Sequence, residues 1–264
     1  RCRCLLTWLS CWKPCVTMVE CYVPDWDVPA NVRVLQTTRN GGTSKAPWAS
    51  FNLGDHVGDG VAAVATNRVL LVSRLPAEPL WLTQVHGIVA VDADQRPKIR
   101  EADAAFARQP GSVCVVMTAD CLPVLLCDRQ GTIVAAAHAG WRGLAAGVLE
   151  STVAAMKVDP GELLVWLGPA IGPRCFEVGD EVRNAFVTDN PAAGLAFVSH
   201  EAGKWLCDIY LLARQRLQRM GIMAISGGGE CTVTEADRYF SYRRDGVTGR
   251  MASLIWLESG PQGV

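Results

Sequence analysis

Residues 112–139, SVCVVMTADCLPVLLCDRQGTIVAAAHA, decide the fold. The stretch contains three apolar runs of strand length, the first two interrupted by Thr-Ala-Asp-Cys. Short apolar runs bounded by polar or turn residues are typical of buried strands. The third run ends at His138, and Ala-Gly-Trp-Arg-Gly follows at once. Taken alone, a histidine at the end of a buried strand is more often a structural residue than a reactive one.

The same reading predicts further strands and helices on both sides of this stretch. Strands are expected at 31–38, 79–87, 88–94, 163–173 and 251–257. Helices are expected at 60–75 with Asp59 as N-cap, and at 143–156, 180–186 and 208–220. Strands occur in clusters with helices between them, which indicates the α+β class rather than a doubly wound parallel sheet. Without a repeat or a long linker, a single domain is predicted for residues 18–264.

Composition excludes several functional classes. Half of the 264 residues are hydrophobic and 19% are charged, which is typical of a globular chain. The net charge of −1 gives no basic excess for nucleic acid, and no apolar run is long enough to cross a membrane. Of eleven cysteines, five lie in the first 21 residues and the others are scattered, so we expect no disulfide scaffold and a cytoplasmic protein. Residues 1–17 lack helical or strand periodicity and are interpreted as a non-native or disordered extension.

Three nitrogen or sulfur donors end apolar segments beside a Gly or Pro, namely His86, Cys121 and His138. Two imidazoles and a thiolate suit zinc better than copper, and three ligands leave a fourth position open, as in catalytic zinc sites. The spacing matches no known metal motif, so the same residues also allow a metal-free site. In that alternative Cys121 is a nucleophile and His138 or His86 is its base.

Two arginine-bearing loops are candidates for anion binding. Arg39 precedes Gly41 and Gly42, whose backbone N–H groups and the guanidinium could hold phosphate, although an ordinary hairpin turn fits the local pattern equally well. Arg243, Arg244 and Arg250 flank a second turn and are expected to be solvated. The run 227–229 of three glycines lacks the spacing of a nucleotide-binding loop and is interpreted as a turn.

The order of several long motifs resembles the YfiH family of bacterial laccase-domain proteins, once described as multicopper polyphenol oxidases. They are TTRNGGTS, SFNLGDHVGD, WLTQVHG, ADAAF, TADCLPVLL, AAAHAGWRG, WLGPAIGP and FSYRRDGVTGRMASLIWL, between residues 24 and 257. The resemblance implies one domain with a layered α/β/β/α sandwich of mixed sheets, an architecture shared with a bacterial toxin deamidase. It also implies a zinc site at His86, Cys121 and His138.

The resemblance further implies phosphorolysis of adenosine, inosine, guanosine and methylthioadenosine, together with deamination of adenosine. The expected partners are purine nucleosides and inorganic phosphate. The protein is expected to be a monomer or a homodimer. From their positions near the donors, and not from the resemblance, Asp120 or Asp103 is expected to orient a ligand or protonate the leaving purine. For Trp141 the sequence leaves two roles open, stacking on the base or packing in the core. The remaining substrate and phosphate contacts are assigned to Arg39, Gly41, Gly42, Asn52, Gln84 and Arg142.

Three alternatives remain open from the sequence. A Cys–His thiol hydrolase or amidase acting on peptidoglycan precursors would use the same three residues. A laccase-like polyphenol oxidase is weaker, because multicopper oxidation needs more histidines than the four present. A zinc-stabilised binding protein would turn over no nucleoside.

Overall fold

The computed structural model describes residues 19–98 and 100–259. The expected extension at 1–17 lies outside the described residues. The strands are β1 (Cys21–Tyr22), β2 (Val32–Thr37), β3 (Ala90–Asp92), β4 (Ala104–Ala107), β5 (Cys114–Thr118), β6 (Leu122–Asp128), β7 (Val134–Ala139), β8 (Leu163–Leu167), β9 (Glu177–Gly179), β10 (Phe197–Ser199), β11 (Lys204–Cys207), β12 (Ala224–Gly227) and β13 (Met251–Leu257). The α-helices are α1 (Val61–Val72), α2 (Trp141–Ala146), α3 (Val148–Met156), α4 (Asp180–Val187), α5 (Ile209–Arg219) and α6 (Tyr242–Asp245).

Two sheets stack face to face. One is antiparallel with the order β1-β2-β13-β5, and the other is mixed with the order β12-β8-β6-β7-β4-β3. Helix α1 covers the outer face of the first sheet, while α3, α4 and α5 cover the outer face of the second. The predicted α/β/β/α sandwich is therefore confirmed. A small third sheet, β10-β11-β9, lies beside α4.

The central strands are apolar throughout because both of their faces are covered. In β7, Ala135 and Ala137 face the helices, whereas Val134 and Ala136 face the other sheet. In β5, Val116 faces the second sheet and Val115 faces the α1 side. This double burial explains why the stretch 112–139 shows continuous apolar runs rather than alternation.

Three local predictions need correction. Residues 79–87 form only isolated bridges, at Leu80 and Thr83, and not a continuous strand. The helix expected at 143–156 is two helices, because Gly147 takes a φ of +104°, which ends α2 before α3 begins. Asp59 does not cap α1, whose N-cap is Gly60. The Asp59 carboxylate instead accepts hydrogen bonds from the side chains of Ser44 and Asn52.

Asn67 of α1 is fully buried and anchors the loop that precedes the helix. Its Oδ1 accepts the backbone N–H of Thr43 (2.8 Å), and its Nδ2 donates to the Ser44 hydroxyl (2.9 Å) and to the Asn52 carbonyl (2.8 Å). The loop between β2 and α1 is therefore fixed by a polar side chain inside the core. Within the described residues, no helix is long and apolar enough to cross a bilayer.

We expect Asn67→Ala to reduce the free energy of unfolding by about 1–3 kcal/mol, because buried partners lose their hydrogen bonds. Urea unfolding followed by circular dichroism measures the change. Val69→Ala, on the exposed side of the same helix, is the control and should change stability little. Equal stability of the two variants would contradict the anchoring role.

Candidate metal centre and its cavity

The sheet topology brings Cys121 and His138 together. Cys121 ends the turn between β5 and β6, and His138 is the penultimate residue of β7. Because β6 and β7 are antiparallel neighbours, the start of β6 lies beside the end of β7, with Pro123 opposite His138. Two donors that are 17 residues apart in sequence therefore occupy the same end of one sheet.

Asp103 joins His86 to this pair. Its carboxylate is fully buried and accepts backbone N–H groups from Val85 (3.2 Å), His86 (2.9 Å) and Gly87 (2.6 Å). It also accepts the Nδ1–H of His138 at 2.8 Å. Burial alone would raise the pKa of Asp103, but the hydrogen bonds from His138 and the Gly87 amide hold this pKa below its ordinary value.

The Asp103 contact also selects the histidine tautomer. An ionised carboxylate only accepts, so Nδ1 of His138 carries a hydrogen, and Nε2 is the nitrogen that a metal ion would bind after displacing its proton. A carboxylate behind a ligating imidazole is the usual support for a metal-bound histidine. His138 is 3% exposed and has little freedom to turn away.

The His86, Cys121 and His138 donor atoms all lie within 4.8 Å of one another. His86 Nε2 is 3.7 Å from Cys121 Sγ, and the two imidazole rings are edge to face at 4.8 Å between centroids. Zinc bonds to nitrogen and sulfur imply donor separations of about 3.3–3.6 Å in a tetrahedral site. The three residues thus fit a metal ion, and within the described residues no other group of three such donors does.

The electrostatics favour a charged thiolate. Burial would raise the pKa of Cys121, but the neighbouring His138 and His86 lower it to about 6. Burial would lower the pKa of His138, but the Cys121 thiolate and the Asp103 hydrogen bond raise it to about 9. A thiolate is the form that binds metals and the form that acts as a nucleophile, so this arrangement supports either chemistry.

Gly140 gives the three side chains room to meet. A Cβ at this position would lie 2.7 Å from His86 Cδ2 and 3.0 Å from Cys121 Sγ. At Gly143 a Cβ would lie 2.9 Å from the Gly87 carbonyl oxygen. The glycines in HAGWRG therefore allow α2 to start directly against the histidine loop.

A cavity of about 540 Å³ opens at the three donors. This volume lies within the usual range for small-molecule sites. Four of the other sequence-predicted site residues line the cavity, namely Gln84, Asp120, Trp141 and Arg142. Gln84 is fixed by two hydrogen bonds to the backbone of Met117. The Asp120 carboxylate accepts the Thr232 hydroxyl (2.6 Å) and the Arg243 N–H (2.6 Å), so it holds neighbouring loops together.

Four other predicted residues are not among those that line the cavity: Arg39, Gly41, Gly42 and Asn52. The Arg39 guanidinium donates to the carbonyls of Ala49 and Ala236, and the Gly42 N–H donates to the Ser50 hydroxyl. Asn52 is fully buried and its Oδ1 accepts the backbone N–H of Arg250. These groups hold the loop, which lies outside the cavity that contains the three donors.

Two arginines that the sequence analysis interpreted as solvated line the cavity instead. Arg250 is half-buried, its Nη1 donates to the carbonyls of Thr248 and Gly249, and burial lowers its pKa. Arg243 donates to the Glu177 carbonyl and lies 5.5 Å from the Phe176 ring centroid. His56 and Tyr242 also line the cavity. The only sequence signal was the position of Arg250 directly before the closing strand, whereas the metal donors were marked by ending apolar segments.

A family model described as multi-copper polyphenol oxidoreductase laccase matches residues 33–258. The chain belongs to this family, the YfiH laccase-domain family. A purine nucleoside phosphorylase of Pseudomonas aeruginosa is 58% identical over 89% of this chain and 97% of its own length. The protein named purine nucleoside phosphorylase YfiH of Escherichia coli is 54% identical over 91% of this chain and all of its own length.

Solved structures agree with the fold. A Neisseria meningitidis protein of the DUF152 family superposes with a TM-score of 0.88 at 53% identity, over 90% of this chain and 99% of its own. The YfiH protein of Bacillus licheniformis gives a TM-score of 0.80 at 30% identity, over 86% of this chain and 93% of its own. The predicted family membership is confirmed.

We expect Asp103→Asn to weaken binding of added Zn²⁺ roughly 10–100-fold, because the amide cannot accept all the hydrogen bonds that fix His138 and the His86 loop. Competition with a chromophoric chelator measures the dissociation constant.

Asp128→Asn is the matched control for this variant. Asp128 is also buried and accepts backbone N–H groups, from Thr132 and Ile133, but it lies at the opposite end of β6. Equal zinc affinity in the two variants would contradict the role given to Asp103.

Proposed function

We propose that the chain is a purine nucleoside phosphorylase whose active site is the cavity above His86, Cys121 and His138. The proposal rests on the observation that the three possible metal ligands and three arginines, Arg142, Arg243 and Arg250, line the same cavity. The names of the Pseudomonas and Escherichia relatives support the choice of nucleoside phosphorolysis among the reactions that such a cavity could accommodate.

Zinc is the proposed metal, held by the two imidazoles and the Cys121 thiolate. When bound, it supplies Lewis-acid chemistry at an open coordination position. A multicopper oxidase would need several copper sites, and the described residues contain one cluster of this kind. Copper is therefore the less suitable metal despite the older family description.

The arginines give phosphate its binding site. Phosphorolysis forms a bond between a phosphate oxygen and C1′ of the ribose while the C1′–N9 bond breaks and the purine takes up a proton. Phosphate must therefore be held close to the sugar, with its charge compensated. Arg250, Arg243 and Arg142 can each donate hydrogen bonds into the cavity, and guanidinium groups match the geometry of phosphate oxygens.

Aromatic side chains form the proposed binding surface for the base. Trp141, Phe176 and Tyr242 line the cavity and offer ring faces or edges to a purine. Arg142 stacks on Trp141 at 4.4 Å, which limits the movement of that ring. The proposed substrates are adenosine, inosine, guanosine and methylthioadenosine, and the same site would also deaminate adenosine. Asp120 is proposed to position the Arg243 backbone for these reactions.

A Cys–His thiol hydrolase is the second candidate function. It is favoured by the low pKa of Cys121, together with His138 supported by Asp103. The two candidates differ in what the thiolate does, since a metal ligand is not free to form an acyl or amidine adduct. Stoichiometric zinc in the purified protein therefore argues for the phosphorylase.

We expect release of free hypoxanthine from inosine only when phosphate is present, and a loss of at least roughly 100-fold in turnover in His86→Ala, Cys121→Ala and His138→Ala. Chromatography of the products and metal analysis of each variant provide the measurements. With adenosine in the absence of phosphate, inosine and ammonia should form if the deaminase activity is present.

His200→Ala is the control for loss of a histidine, because its exposed imidazole lies near Glu177 and outside the cavity. Normal metal content and full turnover in the three ligand variants would overturn the assignment. Base release that is independent of phosphate would indicate a hydrolase.

We expect Arg250→Gln to raise the KM for phosphate roughly tenfold or more, because one charged hydrogen bond to phosphate is lost. The KM for inosine should change less. Arg33 is an exposed arginine of β2 that pairs with Glu258, and Arg33→Gln should leave both constants unchanged. An equal rise of both constants in Arg250→Gln would indicate a role in shaping the cavity rather than in binding phosphate.

A further inference from the structure

A second cavity of about 260 Å³ contains two thiols, Cys175 and Cys231. Gly172, Arg174, Tyr210 and Glu230 complete much of its wall. None of the three metal-ligand residues lines it. Both cysteines are half-buried and free, so a small reagent can reach them through the opening of this cavity. The proposed nucleoside chemistry uses neither thiol.

Cys231 has an environment that stabilises a thiolate. Its Sγ accepts the backbone N–H of Gly172 at 3.2 Å. Burial raises its pKa, but the hydroxyl and N–H of Thr234 and the N–H groups of Gly172 and Val233 outweigh this and lower it. Hydrogen bonds to the charged form of a cysteine lower its pKa.

The pKa of Cys175 is shifted in the opposite direction to that of Cys231. Burial raises the pKa of Cys175, and the charge of the neighbouring Cys231 raises it further. The pKa shifts of the two thiols therefore run in opposite directions, which makes Cys231 the more readily ionised of the pair. Contact between the two chain segments is close, since a Cβ on Gly172 would lie 2.9 Å from both Cβ and Sγ of Cys231. Cys175 follows in the same turn, its N–H bonded to the Gly172 carbonyl.

We propose that Cys231 and Cys175 are a hydroperoxide-reactive thiol pair that closes to a disulfide. The Cys231 thiolate attacks one oxygen of hydrogen peroxide, the O–O bond breaks, and hydroxide leaves and is protonated to water. Cys231 is then a sulfenic acid. The Cys175 sulfur attacks the Cys231 sulfur, the S–O bond breaks, and the oxygen leaves as a second water with the Cys175 proton. Two thiols are oxidised and one peroxide is reduced.

The test treats the zinc-loaded full chain with hydrogen peroxide at neutral pH and follows each cysteine by isotope-coded alkylation and peptide mass spectrometry. We expect Cys231 to be consumed at least about tenfold faster than Cys21, with a peptide joining Cys175 to Cys231 as the main product. Cys21 is the internal reference, because it is also half-buried but burial raises its pKa to about 11.

Two variants separate the roles of the two thiols. Cys175→Ser should let a sulfenic acid accumulate on Cys231, where dimedone traps it, and dithiothreitol should no longer release a linked peptide. Cys231→Ser should slow oxidation of Cys175 to the rate of Cys21. Unfolding of a variant does not affect the result from the unaltered chain. If Cys231 reacts no faster than Cys21, or if no Cys175–Cys231 peptide forms, the proposal is wrong.

Discussion

The buried carboxylate of Asp103 is the constraint on which the metal centre depends. It takes hydrogen bonds from three successive backbone N–H groups of residues 85–87 and from His138. Hydrogen bonds to a charged group are each worth about 1.5–3 kcal/mol, and leaving such a charge unpaired in the core would be costly. One side chain therefore holds the His86 loop and the His138 ring in the same place. The donors are positioned by the protein before any metal binds.

Backbone strain around the ligands is supported by the same network. His86 has a φ of +60° and Asp120, directly before Cys121, has a φ of +91°. Residues other than glycine rarely adopt a positive φ, and such a conformation persists only where the surrounding structure holds it. Asp103 holds His86 in this conformation, because its carboxylate accepts the His86 backbone N–H. Thr232 and the Arg243 N–H hold Asp120 through its carboxylate. The two stacked sheets provide the rigid base for both loops.

Local pattern was sufficient to predict the α+β class and the three candidate donors, whereas the layered sandwich was expected only from the resemblance to the family. Continuous apolar runs mark doubly covered strands, and donors at the ends of such strands converge when the strands are neighbours. The residues proposed to bind phosphate were not predictable in this way. The glycine loop around Arg39 and the loop around Arg250 look alike locally, and only the pairing of β13 between β2 and β5 brings Arg250 to the cavity. The order of strands in a sheet is a long-range property that hydrophobic periodicity does not encode.

The charges of the cavity wall support the proposed phosphorolysis. Asp120 is acidic and lines the cavity, but both of its oxygens are occupied by Thr232 and the Arg243 N–H. The free charges on the wall are those of Arg142, Arg243 and Arg250, so the cavity attracts anions. A neutral phenol has no charge to pair with such a wall, whereas a phosphate dianion gains charge-assisted hydrogen bonds. The neighbouring His138 and His86 favour the Cys121 thiolate, which is the state that a zinc ligand requires.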